Sequence, residues 1–370
     1  MSCYEALGVR RVINADEHMT VLGGSLMSDV VQDAMREASR SFVDMFELHE
    51  RAGEELARLT RNEAAYVTPG AAAGITLAVL ACRTRGDLSK IAGLRGYGAV
   101  TDEVIMHVAH RNPYDWSVGL AGAQIREVGN VLQTFPWELE AALSERSVAV
   151  FYVAGSPFRR GALELAEVVR IASARGVPVI VDAAAQLPPA ENLWRFTQEL
   201  GADIVLFSGG KDLCGPQQTG LMVGKPQWIA AARANGAPHQ RYARSMKVGK
   251  EEIIGLVAAV ERYMGVDQVA LRCELSRTCS WWREELSKVP HVNASIEETN
   301  AAGESLPRVR VSWDVGAVGR DQATVSTELR KSEPSIAISV GLDCVYISAH
   351  CLQPGEAKIV LERLVAELRA

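Results

Sequence analysis

The sequence predicts an α/β protein, with a large domain on a mostly parallel, doubly wound sheet and a smaller C-terminal α+β domain. Three observations carry this. Between residues 100 and 225, continuous apolar, β-branched runs alternate with helical stretches. Pro and Gly stand where the ends of those helices require them. Past residue 250, two helices give way to short strands and a closing helix. At 370 residues the chain exceeds one typical core, so two domains are expected, at 1–248 (an N-terminal arm and the large domain) and 249–370.

The strands come first. EVIMHVA (103–109), SVAVFYVAG (147–155), VPVIVDAAA (177–185) and ADIVLFSGG (202–210) are apolar throughout and end in small or polar residues. Such runs suit strands buried on both faces, hence parallel ones. Between them, PWELEAALSE opens with Pro136, ALELAEVVRIASARG closes with Gly176 and ENLWRFTQELG closes with Gly201. Upstream, SDVVQDAMREASRSF and HERAGEELARLTR are amphipathic helices leading into VTPGAAAGITLAVLACRTRG. Downstream, KEEIIGLVAAVERYMG and DQVALRCELSRTCSWWREELSK are helical. RVRVSW, IAISV and CVYISAH then read as strands, and PGEAKIVLERLVAELRA as the last helix.

A net charge of -6, from 39 basic and 45 acidic residues, offers no general attraction to nucleic acid or anionic membrane. No apolar run is long enough to span a bilayer, and MSCYEALGVRRV lacks a signal core. Seven scattered cysteines without metal spacing read as reduced thiols, so a cytoplasmic location and no metal are expected.

Three elements carry chemistry. TPGAAAG (68–74) is a turn running into a helix start of small residues, where exposed N–H groups receive anions. VDAAAQLPP places Asp182 at the carboxyl end of a buried strand, where α/β folds put functional groups, although a helix-capping acid is the ordinary alternative. SGGKDLCGPQQTG sets Ser208 and Lys211 at the exit of the next strand after the one that ends in Asp182. A pyridoxal 5′-phosphate (PLP) site needs those three things: a lysine for the Schiff base, a carboxylate for the pyridine nitrogen and N–H donors for the phosphate.

Several separated motifs, in order, carry a resemblance: LGVRRVIN (7–14), the GG of LGGS, AAYVTPGAAAG (64–74), VDAAAQLPP, SGGKDLCGPQQTG and MKVGKEEIIGL (246–256). Over most of its length the chain resembles fold type I PLP enzymes, whose large domain holds a seven-stranded sheet. It is most similar to the branch of selenocysteine synthase and D-glucosaminate-6-phosphate ammonia lyase. The resemblance implies that Lys211 carries the Schiff base, Asp182 pairs with the pyridine nitrogen, and Ser208, Gly70, Ala71 and Ala72 hold the phosphate. It implies that His110 stacks on the cofactor and can hand a proton onward, with Tyr114 and His107 as alternatives, and that Gln186 contacts the phenolic oxygen. Substrate carboxylates need a cationic clamp, for which Arg241 and Lys247 are the candidates in a basic stretch that would otherwise read as solvated surface. Two departures stand out: INADEHMT (13–20) sets Asp16, Glu17 and His18 where related chains read INxxGxxT, and TPG stands where they often have TSG.

The expected function is a PLP-dependent lyase that removes ammonia or a β-substituent from a small polar amino acid or amino sugar acid through a carbanion. A racemase or epimerase is the alternative with the same cofactor. Selenium transfer to seryl-tRNA ranks lower, since those relatives carry an extra N-terminal region and the net charge disfavours a tRNA partner. A silent PLP-fold protein would have no chemical need for both Lys211 and Asp182. Fold type I relatives build their pockets from two chains, so a homo-oligomer, dimer or higher, is expected.

Overall fold

The computed structural model describes residues 3–94 and 101–369. The chain forms two compact units. The larger comprises Leu26–Gly265 with Ala302–Glu304, and the other the residues up to Ser25, Val266–Ala301 and those from Ser305 onward.

The larger unit is built on seven strands in the order Ala64–Thr68, Gly220–Gly224, Ile204–Ser208, Val179–Asp182, Ser147–Val153, Glu103–His107 and Gln124–Val128. Gly220–Gly224 runs antiparallel to both neighbours, and all other pairs are parallel. The apolar runs are buried on both faces because helices cover both. Leu56, Val168, Ile171, Leu256 and Val260 pack one side, and Ile75, Leu77, Leu80, Ile229 and Ala232 the other. Gln124–Val128 has no apolar run to announce it; as an edge strand it keeps most side chains in water. Helix Lys250–Met264 belongs to this unit, packed on Asp29–Ala38 and Met45–Leu59, so the unit continues past the expected boundary at 248.

The smaller unit has an antiparallel sheet in the order Ser339–Val340, Val345–Ser348, Arg308–Trp313 and Val292–Glu297. Its core is formed by Cys279, Trp282 and Leu286 of helix Gln268–Leu286, Val309, Val311 and Ile347 of the sheet, and Val360 and Leu364 of the last helix. The N-terminal segment up to Ser25 groups here rather than, as expected, with the large domain. Val12–Asn14 pairs in parallel with Ser335–Ala337, and Ile13 is buried in this core. IAISV is accordingly split, one half serving each sheet. Among the described residues no helix is long and apolar enough to cross a membrane.

Candidate active site

Asp182 is the last residue of its strand, in register with Val153 on one side and Leu206 on the other. Its side chain is buried, and one oxygen accepts the Ala184 N–H at 3.0 Å. Burial pushes the carboxyl above its usual range, and the Ala184 bond and the Lys211 ammonium pull it part of the way back. A buried carboxylate with so few partners is costly unless a cation meets it.

Lys211 follows the neighbouring strand in a loop closed on itself. Gly209 N–H donates to Thr219 O, Gly215 N–H to Gly209 O and Cys214 N–H to Lys211 O, each at 2.8 Å. A Cβ on Gly209 would stand 2.0 Å from Thr219 Oγ1, and one on Gly210 2.6 Å from Gln217 Cα. The two glycines before the lysine are therefore a steric requirement of this turn. Lys211 Nζ makes no hydrogen bond or ion pair among the described residues.

The turn at Gly70 is built across three strands. Thr68 lies opposite Gly220, and Gly220 opposite Ser208. Thr68 Oγ1 donates to Gly70 O at 3.0 Å and Gly220 O at 3.3 Å, holding the turn. Gly70, at φ 92°, caps helix Ala71–Thr84, and the N–H groups of its first turn have no acceptor within the helix. A Cβ on Gly70 would meet nothing within 4 Å, so the space in front of the turn is open. Ser208, Gly70, Ala71 and Ala72 thus share the strand ends that carry Asp182 and Lys211.

His110 differs from its expected role. It lies in the short helix Val108–His110 and is fully buried, so neither ring face is open for stacking. Its ring packs edge-on against Tyr152 at 4.5 Å and tilted against His107 at 4.8 Å. The Val153 N–H donates to its Nδ1 at 3.3 Å. A backbone N–H can only donate, so Nδ1 is the acceptor and the ring proton sits on Nε2. That Nε2 is buried with no hydrogen bond of ordinary geometry, although the Phe158 backbone is near enough to raise the pKa slightly. Burial, then the neighbouring His107, lowers the pKa to about 3. The Val153 N–H thus holds the ring in one orientation. His107 is held in the same way, accepting Leu163 N–H at Nε2, and its ring is also fully buried. Tyr114 is largely exposed.

Gln186 Nε2 donates to Ala302 O at 3.1 Å, and its backbone carbonyl accepts Asn192 Nδ2 at 2.7 Å. The side-chain amide is thereby tied to the short Ala302–Glu304 return. Arg241 turns back onto the end of helix Pro226–Asn235, donating to Ala234 O, while Lys247 is exposed. Neither contacts Asp182 or Lys211 within this chain. One buried tyrosine with acidic neighbours was not expected. Tyr263 is pushed up by burial and by the negative groups Asp212, Glu304, Glu191 and Cys214, two of them in the Lys211 loop. No local pattern announces it, because these residues come from four separate stretches.

These residues fit PLP. Asp182 lacks a cationic partner of the pyridinium kind, Lys211 is uncommitted, and the Gly70 turn is open in front of donors.

Comparison with known proteins agrees. The family model described as L-seryl-tRNA selenium transferase matches residues 12–319. A D-glucosaminate-6-phosphate ammonia lyase from Salmonella typhimurium is 34% identical over 98% of this chain and 96% of its own length. The 5′-C-glycyluridine monooxygenase-decarboxylase of a Streptomyces species is also 34% identical, over 98% of this chain and 90% of its own. A solved D-glucosaminate-6-phosphate ammonia lyase superposes with a TM-score of 0.86 at 32% identity, covering 100% of this chain and 98% of that one. At the level of fold alone, SPT with PLP superposes with a TM-score of 0.60 at 15% identity, covering 97% of this chain and 88% of that one.

Proposed function

We propose that this chain, which belongs to the L-seryl-tRNA selenium transferase family, is a PLP-dependent lyase that removes ammonia or a β-substituent from a small polar amino acid or amino sugar acid. The ammonia lyase that is similar over nearly its whole length, in sequence and in structure, favours this over a racemase. The observation that carries the site is Asp182: a buried carboxylate, raised by burial, at the strand ends where an open anion cradle and an uncommitted lysine meet.

When bound, PLP supplies an electron sink for charge developing at the substrate Cα. Lys211 would hold the cofactor covalently, and its Nζ would take the substrate Cα proton. The Asp182 carboxylate would hold a proton on the ring nitrogen. Ser208 Oγ and the N–H groups of Ala71 and Ala72 hold the phosphate at the cradle formed by Gly70. Gln186, its side-chain amide fixed on Ala302 O, would line the cofactor's pocket. The Cα proton and the β-substituent leave together as HX (water where X is hydroxyl), and the resulting enamine tautomerises to an imine that water hydrolyses to keto acid and ammonia.

Arg241 and Lys247 are assigned to the substrate's acidic groups in a neighbouring copy of the chain. The exposed apolar residues Val21, Leu26, Val30, Phe42 and Phe46 support a homo-oligomer, since so much apolar surface is seldom left in water. A cytoplasmic location accords with the free thiols of all seven cysteines.

Borohydride reduction of the holoprotein followed by peptide mapping tests the site, and the label is expected on Lys211. A panel of amino acids and amino sugar acids, read for ammonia, keto acid and dioxygen uptake, tests the reaction. Ammonia and keto acid without dioxygen uptake is the expected result. Oxygen-dependent decarboxylation would instead align the chain with the second relative.

A further inference from the structure

We propose that His18, His350 and Cys351 form a zinc-type divalent cation site in the smaller unit, with three protein ligands and a fourth position open to water. The lyase reading gives these residues no role. One ligand atom from each lies within 4.8 Å of the others, and all three side chains are half-buried. The two imidazoles meet at 4.7 Å between centroids with planes at 90°, an arrangement in which in-plane lone pairs from both rings can converge on one point.

Two segments from opposite ends of the sequence are fixed together to bring this about. Ala15 N–H donates to Ala337 O at 3.0 Å, and Ser348 N–H to Ala15 O at 2.8 Å. Beyond Ala15, Asp16 N–H donates to Asn14 Oδ1 and Asn14 Nδ2 to Glu17 O, both at 3.0 Å, so the turn leading to His18 is ordered. Glu17 is itself held by Arg308 at 3.4 Å and by Ala301 N–H at 3.1 Å. On the other side, Ser348 Oγ lies 2.9 Å from His350 Nδ1. That contact orients the ring, as supporting groups do for metal-binding histidines.

The donor set selects the ion. Two imidazoles and a thiolate suit zinc, whereas magnesium and calcium require oxygen ligands, which this trio lacks. Bonds of about 2.0–2.1 Å to nitrogen and about 2.3 Å to sulfur put tetrahedral ligand atoms about 3.3–3.7 Å apart. Tetrahedral closure from 4.8 Å therefore shortens the ligand separations by about 1 Å. Binding would release the Cys351 thiol proton, so affinity should rise with pH.

The test uses the holoprotein freed of excess PLP and metal by dialysis, then equilibrated with zinc alone. One zinc per chain is expected, with X-ray absorption showing one sulfur and at least two nitrogen ligands. Cys351→Ser and His18→Ala should each weaken zinc binding at least tenfold, and Ser348→Ala by about tenfold, the usual effect of removing an orienting partner. Cys273→Ser, at an exposed thiol elsewhere, should change nothing. Four-coordinate cobalt, read in the visible away from cofactor absorption, should follow the same order. Substoichiometric zinc, a shell without sulfur, or undiminished binding in Cys351→Ser would overturn the proposal. The absorption spectrum of the wild-type protein decides by itself if a variant fails to fold.

Discussion

Lowering the pH from 7 to 5 should cost the larger unit about 5 kcal/mol of stability, carried by three buried histidines. Burial is the main cause of the depressed pKa in each case. His49 falls to about 4, with Arg233 adding to the effect; His107 to about 4; and His110 to about 3, helped by His107. In the unfolded chain each returns to about 6.5. At pH 5 the unfolded form gains about 2 kcal/mol per histidine by taking up a proton, against about 0.2 kcal/mol at pH 7. The folded form stays neutral and gains almost nothing. Because the folded pKa values are depressed, this stability is fully present above 6.5 and is lost as the pH falls toward 4. Asp182 works in the opposite direction. Its folded pKa is raised, so it favours the fold below its unfolded value and loses that contribution as the pH rises through the folded one. Urea unfolding at the two pH values measures the loss, and imidazole nitrogen NMR identifies its source. Three of the seven histidines should show no titration above pH 5, with His110 in the Nε2–H form throughout. His107→Gln should reduce the loss by about a third. A loss under about 1 kcal/mol, or a His110 signal titrating near 6.5, would refute the reasoning.

Three further outcomes follow from the site. Asp182→Asn should stabilise the cofactor-free protein, by removing a buried charge with few partners, while lowering kcat of the holoenzyme roughly 10²–10⁴-fold; melting curves and steady-state rates check the two halves. Gly220→Ala would put a Cβ 2.6 Å from the Gly70 carbonyl carbon, and the resulting strain of about 1–3 kcal/mol should weaken PLP binding roughly 5–150-fold in a spectrophotometric titration. Mixing Lys211→Ala with Arg241→Ala subunits should restore activity if Arg241 serves a neighbouring subunit's pocket, and confirmed subunit exchange without recovery would remove Arg241 from that role.

What the sequence made legible was local. Val179–Asp182 and Ile204–Ser208 could be read because a strand covered on both faces needs an unbroken apolar run, and the glycines around Lys211 could be read because steric exclusion leaves few other residues possible. The misses depended on partners distant in sequence. Val12–Asn14 joins the C-terminal unit because its strand partner, Ser335–Ala337, lies near the other end of the chain. Gln124–Val128 stands at a sheet edge, where apolar periodicity is not required. The state of His110 depends on the Val153 N–H, far along the chain, which no pattern around His110 could reveal.

That last case separates two meanings of a conspicuous histidine near a site. A ring expected to stack and shuttle protons needs an open face and a pKa near neutrality. The His110 ring is fully buried, and Val153, in register with Asp182 on the adjacent strand, supplies the N–H that occupies its Nδ1. Asp182, by contrast, is a buried acid whose proton affinity burial raises and the nearby Lys211 lowers. A buried acid that the fold itself leaves poorly neutralised, set beside an unpaired amine, costs stability wherever no ligand completes it. Its presence at the carboxyl ends of this sheet is a physical argument for a cationic aromatic ligand there that is independent of any similarity between sequences.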